Sequence, residues 1–151
     1  MIKINKKIEY SLLVLDQLYR EKDKKFSAKE ISLKYNIAFD SVSRVMQKLA
    51  KQKFLISEQG SSGGYKLNKN LNNISLLNLI TAVSGPLTIA RCLKGDCLQA
   101  QFCNIKTPIE AFNEKLSNFY SGISIAELFL IEETNEEKWN RDKRRNFISK
   151  I

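Results

Sequence analysis

The chain holds three cysteines and no histidine, and these two facts bound its chemistry. The cysteines fall in one short segment as Cys92-x4-Cys97-x5-Cys103, with Gly95 inside the first loop. Three thiolates from one irregular segment can converge on a single metal centre. The spacing is not that of a zinc ribbon, for which a second cysteine pair is missing. It is also wider than the tight cysteine runs of ferredoxins. Three thiolates plus one other ligand suit an iron–sulfur cluster with one weakly protected corner. Three buried cysteines serving as small hydrophobes fit the same spacing, so the residues alone leave both readings open. The missing histidine removes Ser-His-Asp and Cys-His nucleophile chemistry and every imidazole ligand. With no phosphate loop and no paired carboxylates in a cleft-like context, an enzyme is not expected.

Charge is the second chemical feature. Lys and Arg number 25 against 16 Asp and Glu, a net +9 over 151 residues, with a sequence pI near 9.5. Such an excess favours a polyanionic partner. A hydrophobic content of 43% with 27% charged residues is that of a globular domain rather than a disordered chain. The odd cysteine count and the lack of a secretory signal pattern point to reduced thiols in the cytoplasm. The longest uncharged stretch, Leu76 to Ala90, is interrupted by Asn78, Ser84, Gly85 and Pro86, so no membrane span is expected.

The elements that must position these residues follow from periodicity. Ile8, Leu12, Leu15 and Tyr19 recur at helical spacing from about Asn5 to Arg20. Ser27-Ala28-Lys29-Glu30 fits a capping box for a short helix ending near Asn36. A third helix, about Phe39 to Gln52, has the apolar stripe Val42, Val45, Met46 and Leu49. Phe54 to Ser57, the glycine-rich Gly60 to Gly64, and Tyr65 to Leu67 read as strand, tip and strand. Three helices and a hairpin make a winged helix-turn-helix. Ser75 caps a further helix stopped by Gly85-Pro86. Thr107-Pro108-Ile109-Glu110 predicts the N-cap, first residue and capping box of a long helix. On it Ile109, Phe112, Leu116 and Phe119 recur at a near-heptad step, a spacing that wants a partner helix, either in a second subunit as a dimerisation seam or within one subunit. The fold class is therefore mainly α with a small β-hairpin wing, plus a long dimerisation helix. The expected divisions are a DNA-binding domain over 1–70, a connecting helix and cysteine loop over 71–106, the dimerisation helix and a short final helix over 107–133, and a charged tail over 134–151.

In a helix-turn-helix the third helix enters the major groove by its N-terminal residues, here Asp40, Ser41, Ser43 and Arg44. Arg44 can bond bidentately to guanine, and the serines to bases or phosphate. Lys6, Lys7, Lys29, Lys48 and Lys51 are candidate phosphate neutralisers. The wing, with Gln59, Ser61 and Ser62, can approach the minor groove because its glycines allow close backbone contact.

Three motifs in order carry a family resemblance: Ile37-Ala38-Phe39-Asp40-Ser41-Val42 at the recognition helix, Gly60-Ser61-Ser62-Gly63-Gly64-Tyr65 at the wing, and Leu79-Ile80-Thr81-Ala82-Val83-Ser84-Gly85 before the cysteine triplet. Over about Met1 to Leu130 the chain resembles the IscR/NsrR-type bacterial regulators that carry iron–sulfur clusters. The resemblance implies a homodimer on promoter DNA, with a cluster held by Cys92, Cys97 and Cys103 that controls DNA affinity. It implies a 4Fe–4S cluster, with 2Fe–2S as the alternative. The IscR branch uses a histidine after the third cysteine, which this chain lacks. In the NsrR-like branch an acidic residue from the partner's first helix completes the site, and the matching position is Glu9. A carboxylate is a hard ligand on a soft site, a labile corner where nitric oxide, oxygen or iron scarcity acts. Where family members often carry an arginine before the first wing glycine, this chain has Gln59, which weakens the expected pull toward narrow A-tract grooves. Two other classes stay in view: a cluster-free thiol-switch regulator, and a non-regulatory iron–sulfur carrier.

Overall fold

Asn5 begins the first helix by accepting at Oδ1 from the Ile8 N–H (3.1 Å), while its Nδ2 donates to Ser84 Oγ (3.0 Å). One residue thus caps α1 (Lys6–Arg20) and ties it to the end of α4 (Leu76–Ser84). The computed structural model describes residues 4–60, 63–95, 97–99 and 101–130. Within these, α2 (Ala28–Tyr35), α3 (Phe39–Lys51), β1 (Leu55–Glu58), β2 (Gly64–Leu67), α5 (Lys106–Ser121) and α6 (Ile125–Leu130) complete the order, with 3-10 turns at Leu71–Asn73 and Arg91–Lys94. The charged tail of 134–151 lies outside the described residues. Among the described residues, no helix is long and apolar enough to cross a membrane.

The core is built around α1 and α3. Val42, Val45, Met46 and Leu49 are all buried, as the stripe predicts. They meet Leu15, Leu18 and Ile31, and Leu79 and Val83 of α4 close the other side. Helix α1 is buried more widely than a single stripe: Ser11, Val14, Gln17 and Leu18 are inside, while Leu12 and Tyr19 are half-buried. The physical reason is its central place, since α3, α4 and β2 all pack on it. Its two buried polar groups are satisfied. Ser11 Oγ donates to the Lys7 carbonyl (2.7 Å). Gln17 Oε1 accepts from Lys34 and from the Tyr35 hydroxyl, joining α1 to α2.

The capping box at Ser27 forms as expected, with Glu30 N–H to Ser27 Oγ at 3.2 Å and Ser27 N–H to Glu30 Oε2 at 2.7 Å. Asn36 closes α2 in the left-handed region (φ 52°), a conformation that asparagine tolerates. The hairpin is antiparallel, pairing Leu55 with Leu67 and Glu58 with Gly64. Phe26 adds a bridge to Tyr65, so the chain before α2 lies along the wing as a rudimentary third strand.

Helix α5 departs from the expected start. It begins at Lys106, with Ile105 at the N-cap and no side-chain cap, so Thr107 is already inside the first turn. Pro108 fits there because first-turn N–H groups have no intrahelical acceptor. Backbone bonds Leu76 N–H to Ile123 O and Ile125 N–H to Ile74 O, both 2.8 Å, then return the chain to the start of α4. Ile125 and Ala126 are fully buried there. Replacing Leu49, fully buried at the centre of the stripe, by Ala is expected to cost about 2–5 kcal/mol, read as a lower urea midpoint with unchanged slope.

Candidate DNA interface and cysteine segment

Burial of one side of α3 decides what the other side presents. Asp40, Arg44, Gln47 and Lys51, at i, i+4, i+7 and i+11, form an exposed line opposite the apolar stripe, flanked by exposed Lys48. Ser41 and Ser43 are half-buried at its edges. Ser32 Oγ donates to the Ile37 carbonyl (2.6 Å), fixing the α2–α3 turn and hence the angle at which α3 projects. Helical periodicity already puts Gln47 with Arg44 on the face opposite the stripe, and the structure leaves it exposed there, two turns in from the N-terminal residues expected to enter the groove.

Of the lysines proposed for phosphate, Lys7 and Lys29 are exposed. Lys6 is exposed too but bonded to Glu9 Oε2 at 2.7 Å, and this bond holds its ammonium above the ordinary value. Gln59 is exposed at the end of β1, whereas Ser61 and Ser62 lie outside the described residues. The wing glycines have a job inside the protein. A Cβ on Gly63 would lie 2.5 Å from the Glu58 carbonyl oxygen, and one on Gly64 would lie 3.1 Å from Phe26 backbone atoms. The close approach they allow is to the wing's own turn and to the Phe26 bridge.

The wing stem also holds a charge cluster. Glu58 Oε1 bonds to Lys66 Nζ (2.6 Å) and Oε2 to Lys25. Bonding first to Lys25 and then to Lys66 holds the Glu58 carboxyl down to about 2. A depressed carboxyl stabilises the fold above its usual value of 4.5, and that contribution fades as pH falls toward about 2. The group is half-buried and open to solvent, so the effect on overall stability is small.

All three cysteines are half-buried and free. Cys92 lies in the 3-10 turn Arg91–Lys94, closed by Gly95 at φ 97°. Among the described residues, no three Cys, His, Asp or Glu side chains gather as a metal-holding group. The donor types suit a soft metal, but the arrangement in this structure does not form its site. Glu9 is half-buried and taken by Lys6, and it borders a groove with Leu12, Leu13, Asp16, Leu128 and Phe129. Leu98, Phe102 and Ile105 stand exposed around the cysteines. On α5, Phe112 and Phe119 are 47% and 62% exposed, while Ile109 and Leu116 are half-buried.

Asn113 was not singled out by spacing, yet it anchors the cysteine segment. Its Oδ1 accepts from the Ile89 N–H (3.1 Å) and its Nδ2 donates to the Leu87 carbonyl (3.2 Å). The side chain copies a strand partner for the chain entering the cysteines and couples that chain to α5.

Two outcomes follow from this geometry. Glu58→Gln should release Lys25 and Lys66 toward phosphate. Duplex affinity should rise, and the slope of log K against log salt should steepen by about one to two, measured by fluorescence anisotropy. Its melting temperature should fall slightly less than that of the wild type as pH drops from 4.5 toward 2, a small difference because Glu21 and Glu30 are held low as well. Asn113→Ala leaves two part-buried backbone groups unpaired, at a cost of about 1–3 kcal/mol. Hydrogen exchange at Ile89 should accelerate while that of α3 stays unchanged.

The sequence matches the Rrf2 family, described as "Iron-dependent Transcriptional regulator", over residues 4–130. It is 28% identical over 135 residues to the HTH-type transcriptional regulator IscR of Yersinia enterocolitica, covering 87% of this chain and 82% of that one. The fold is shared with CymR (YrzC), the global cysteine regulator of B. subtilis, at a TM-score of 0.69 and 20% identity, over 88% of this chain and 100% of the other. It is shared also with T. potens IscR, at a TM-score of 0.65 and 20% identity, over 87% and 89%. The mainly helical winged helix-turn-helix expected from periodicity is thus the fold, and the homologues are regulators of transcription rather than enzymes. The chain belongs to the Rrf2 family of transcriptional regulators.

Proposed function

We propose that this regulator acts as a homodimer, and as a repressor, whose affinity for promoter DNA is set by chemistry at Cys92, Cys97 and Cys103. The single observation that carries DNA binding is the exposed polar and basic line of α3 held opposite a fully buried stripe. Asp40, Ser41, Ser43, Arg44 and Lys48 would meet the major groove, Gln59, Ser61 and Ser62 the wing side, and Lys6, Lys7 and Lys29 the phosphates. The exposed rings Phe112 and Phe119, in register with Ile109 and Leu116, support α5 as the dimer seam, since apolar surface of this kind calls for a partner.

For the cysteines, the favoured reading is ligation of an iron–sulfur cluster, 4Fe–4S with 2Fe–2S as the alternative, with the partner subunit's Glu9 as fourth ligand. The family's description as iron-dependent supports it, as does the confinement of three thiols to twelve residues, Cys92 to Cys103. A cluster supplies a group that nitric oxide, redox change or iron scarcity can remove. Among the described residues the three thiols are not gathered, so ligation would draw this segment together on assembly. Asn113 gives a change there a path to α5. The 1–70, 71–106, 107–133 and 134–151 divisions would then be the reader, the sensor, the dimer seam with its returning helix, and a tail.

A second reading keeps DNA binding and drops the cluster, and it is favoured by three free, half-buried thiols within one short segment. Two of the three cysteines would give up two electrons and two protons to an oxidant and form a disulfide. A non-regulatory carrier is disfavoured by family membership.

Protein purified without oxygen should be brown and hold iron and acid-labile sulfide. Holo, apo and nitric-oxide-treated forms should differ in gel shift on the chain's own promoter DNA. Substituting all three cysteines with Ala should abolish the iron, and unchanged iron would sink the cluster reading. A specific disulfide in iron-free protein, seen by mass spectrometry after air exposure, would establish the second.

A further inference from the structure

We propose that Gln47 reads an adenine in the major groove and that Ser43 sets its amide for that contact. This rests on the DNA-binding reading above. Gln47 is exposed on the outward line of α3, three residues beyond Arg44. Its Nε2 donates to Ser43 Oγ, one turn back, at 3.2 Å.

Reading adenine takes two bonds from one amide: Oε1 accepts from N6–H, and Nε2 donates to N7. The amide nitrogen carries two hydrogens. Ser43 engages one of them, leaving the second hydrogen and Oε1 for the base. The bond therefore orients the amide without using up its reading edge. It also reduces the rotamer freedom lost on binding.

Register gives the contact a place. Three residues along a helix advance about 4.5 Å, close to the 3.4 Å step between bases on one strand. With Arg44 on a guanine, Gln47 meets the adjoining base pair. Each half-site then holds neighbouring G·C and A·T pairs, one per side chain.

A random duplex library selected with the wild-type protein supplies the site, and anisotropy competition with single-base variants reads each position. The wild type should prefer A·T beside the Arg44 guanine by about tenfold to a hundredfold. Gln47→Ala should erase that preference and leave non-specific affinity and salt slope unchanged. Gln47→Glu should move it toward cytosine, whose N4 donates to a carboxylate. Ser43→Ala should weaken it part-way. A purely structural Ser43–Gln47 bond would alter melting temperature in these variants and leave base preference as it was, which overturns the inference. If the wild type selects no sequence at all, the DNA-binding reading falls and takes this one with it. A selected site that is indifferent to every change at Gln47 overturns this inference alone.

Discussion

Removal of Val42, Val45, Met46 and Leu49 from water is the constraint on which the rest of the structure depends. A helix has one azimuth at which a four-residue apolar stripe is fully covered, and rotation by one residue, about 100°, would expose it. At roughly 1.5–3 kcal/mol for each buried side chain, that rotation is prohibitive for a domain of ordinary marginal stability. The outward line Asp40, Arg44, Gln47 and Lys51 is thus turned to solvent by packing on the opposite side.

Everything around α3 serves to hold that arrangement. Helix α1 gives it a floor and is buried so broadly that two polar residues enter the core, each with its bonds met inside the protein. The Gln17 hub joins α1 to α2, and Ser32 fixes the turn into α3. The wing is braced separately, by the Phe26–Tyr65 bridge and by the Lys25–Glu58–Lys66 cluster across its stem. Helix α3 and the wing are thus held differently, one by apolar burial and the other by a backbone bridge and an ion cluster, so salt and pH act more on the wing than on α3.

The cysteine segment is made differently. No regular element holds Cys97 and Cys103, and the apolar side chains beside them, Leu98, Phe102 and Ile105, are exposed. Among the described residues, the chain leading into this segment is tied to α5 by the Asn113 side chain and packs against the core through Leu87. A segment with few buried contacts is cheap to rearrange.

Periodicity and capping chemistry in the sequence determined the helices, except for the start of α5, together with the hairpin and the buried stripe of α3. Those signals are local: residues at i, i+3, i+4 and i+7 share a face whatever surrounds them, and Ser27 and Ser75 meet their N–H partners three residues on. Three outcomes needed the tertiary structure. Helix α1 buries two faces because three elements pack on it, which no single stripe announces. Gly63 and Gly64 are required by backbone of the wing turn and Phe26, and the Phe26 contact is distant in sequence. Asn113 reaches residues 24 and 26 positions away, a pairing that only the folded chain brings together. The count and spacing of the cysteines were legible from the start. Whether their thiols converge depends on backbone with no periodicity to constrain it, and so on tertiary and quaternary contacts alone.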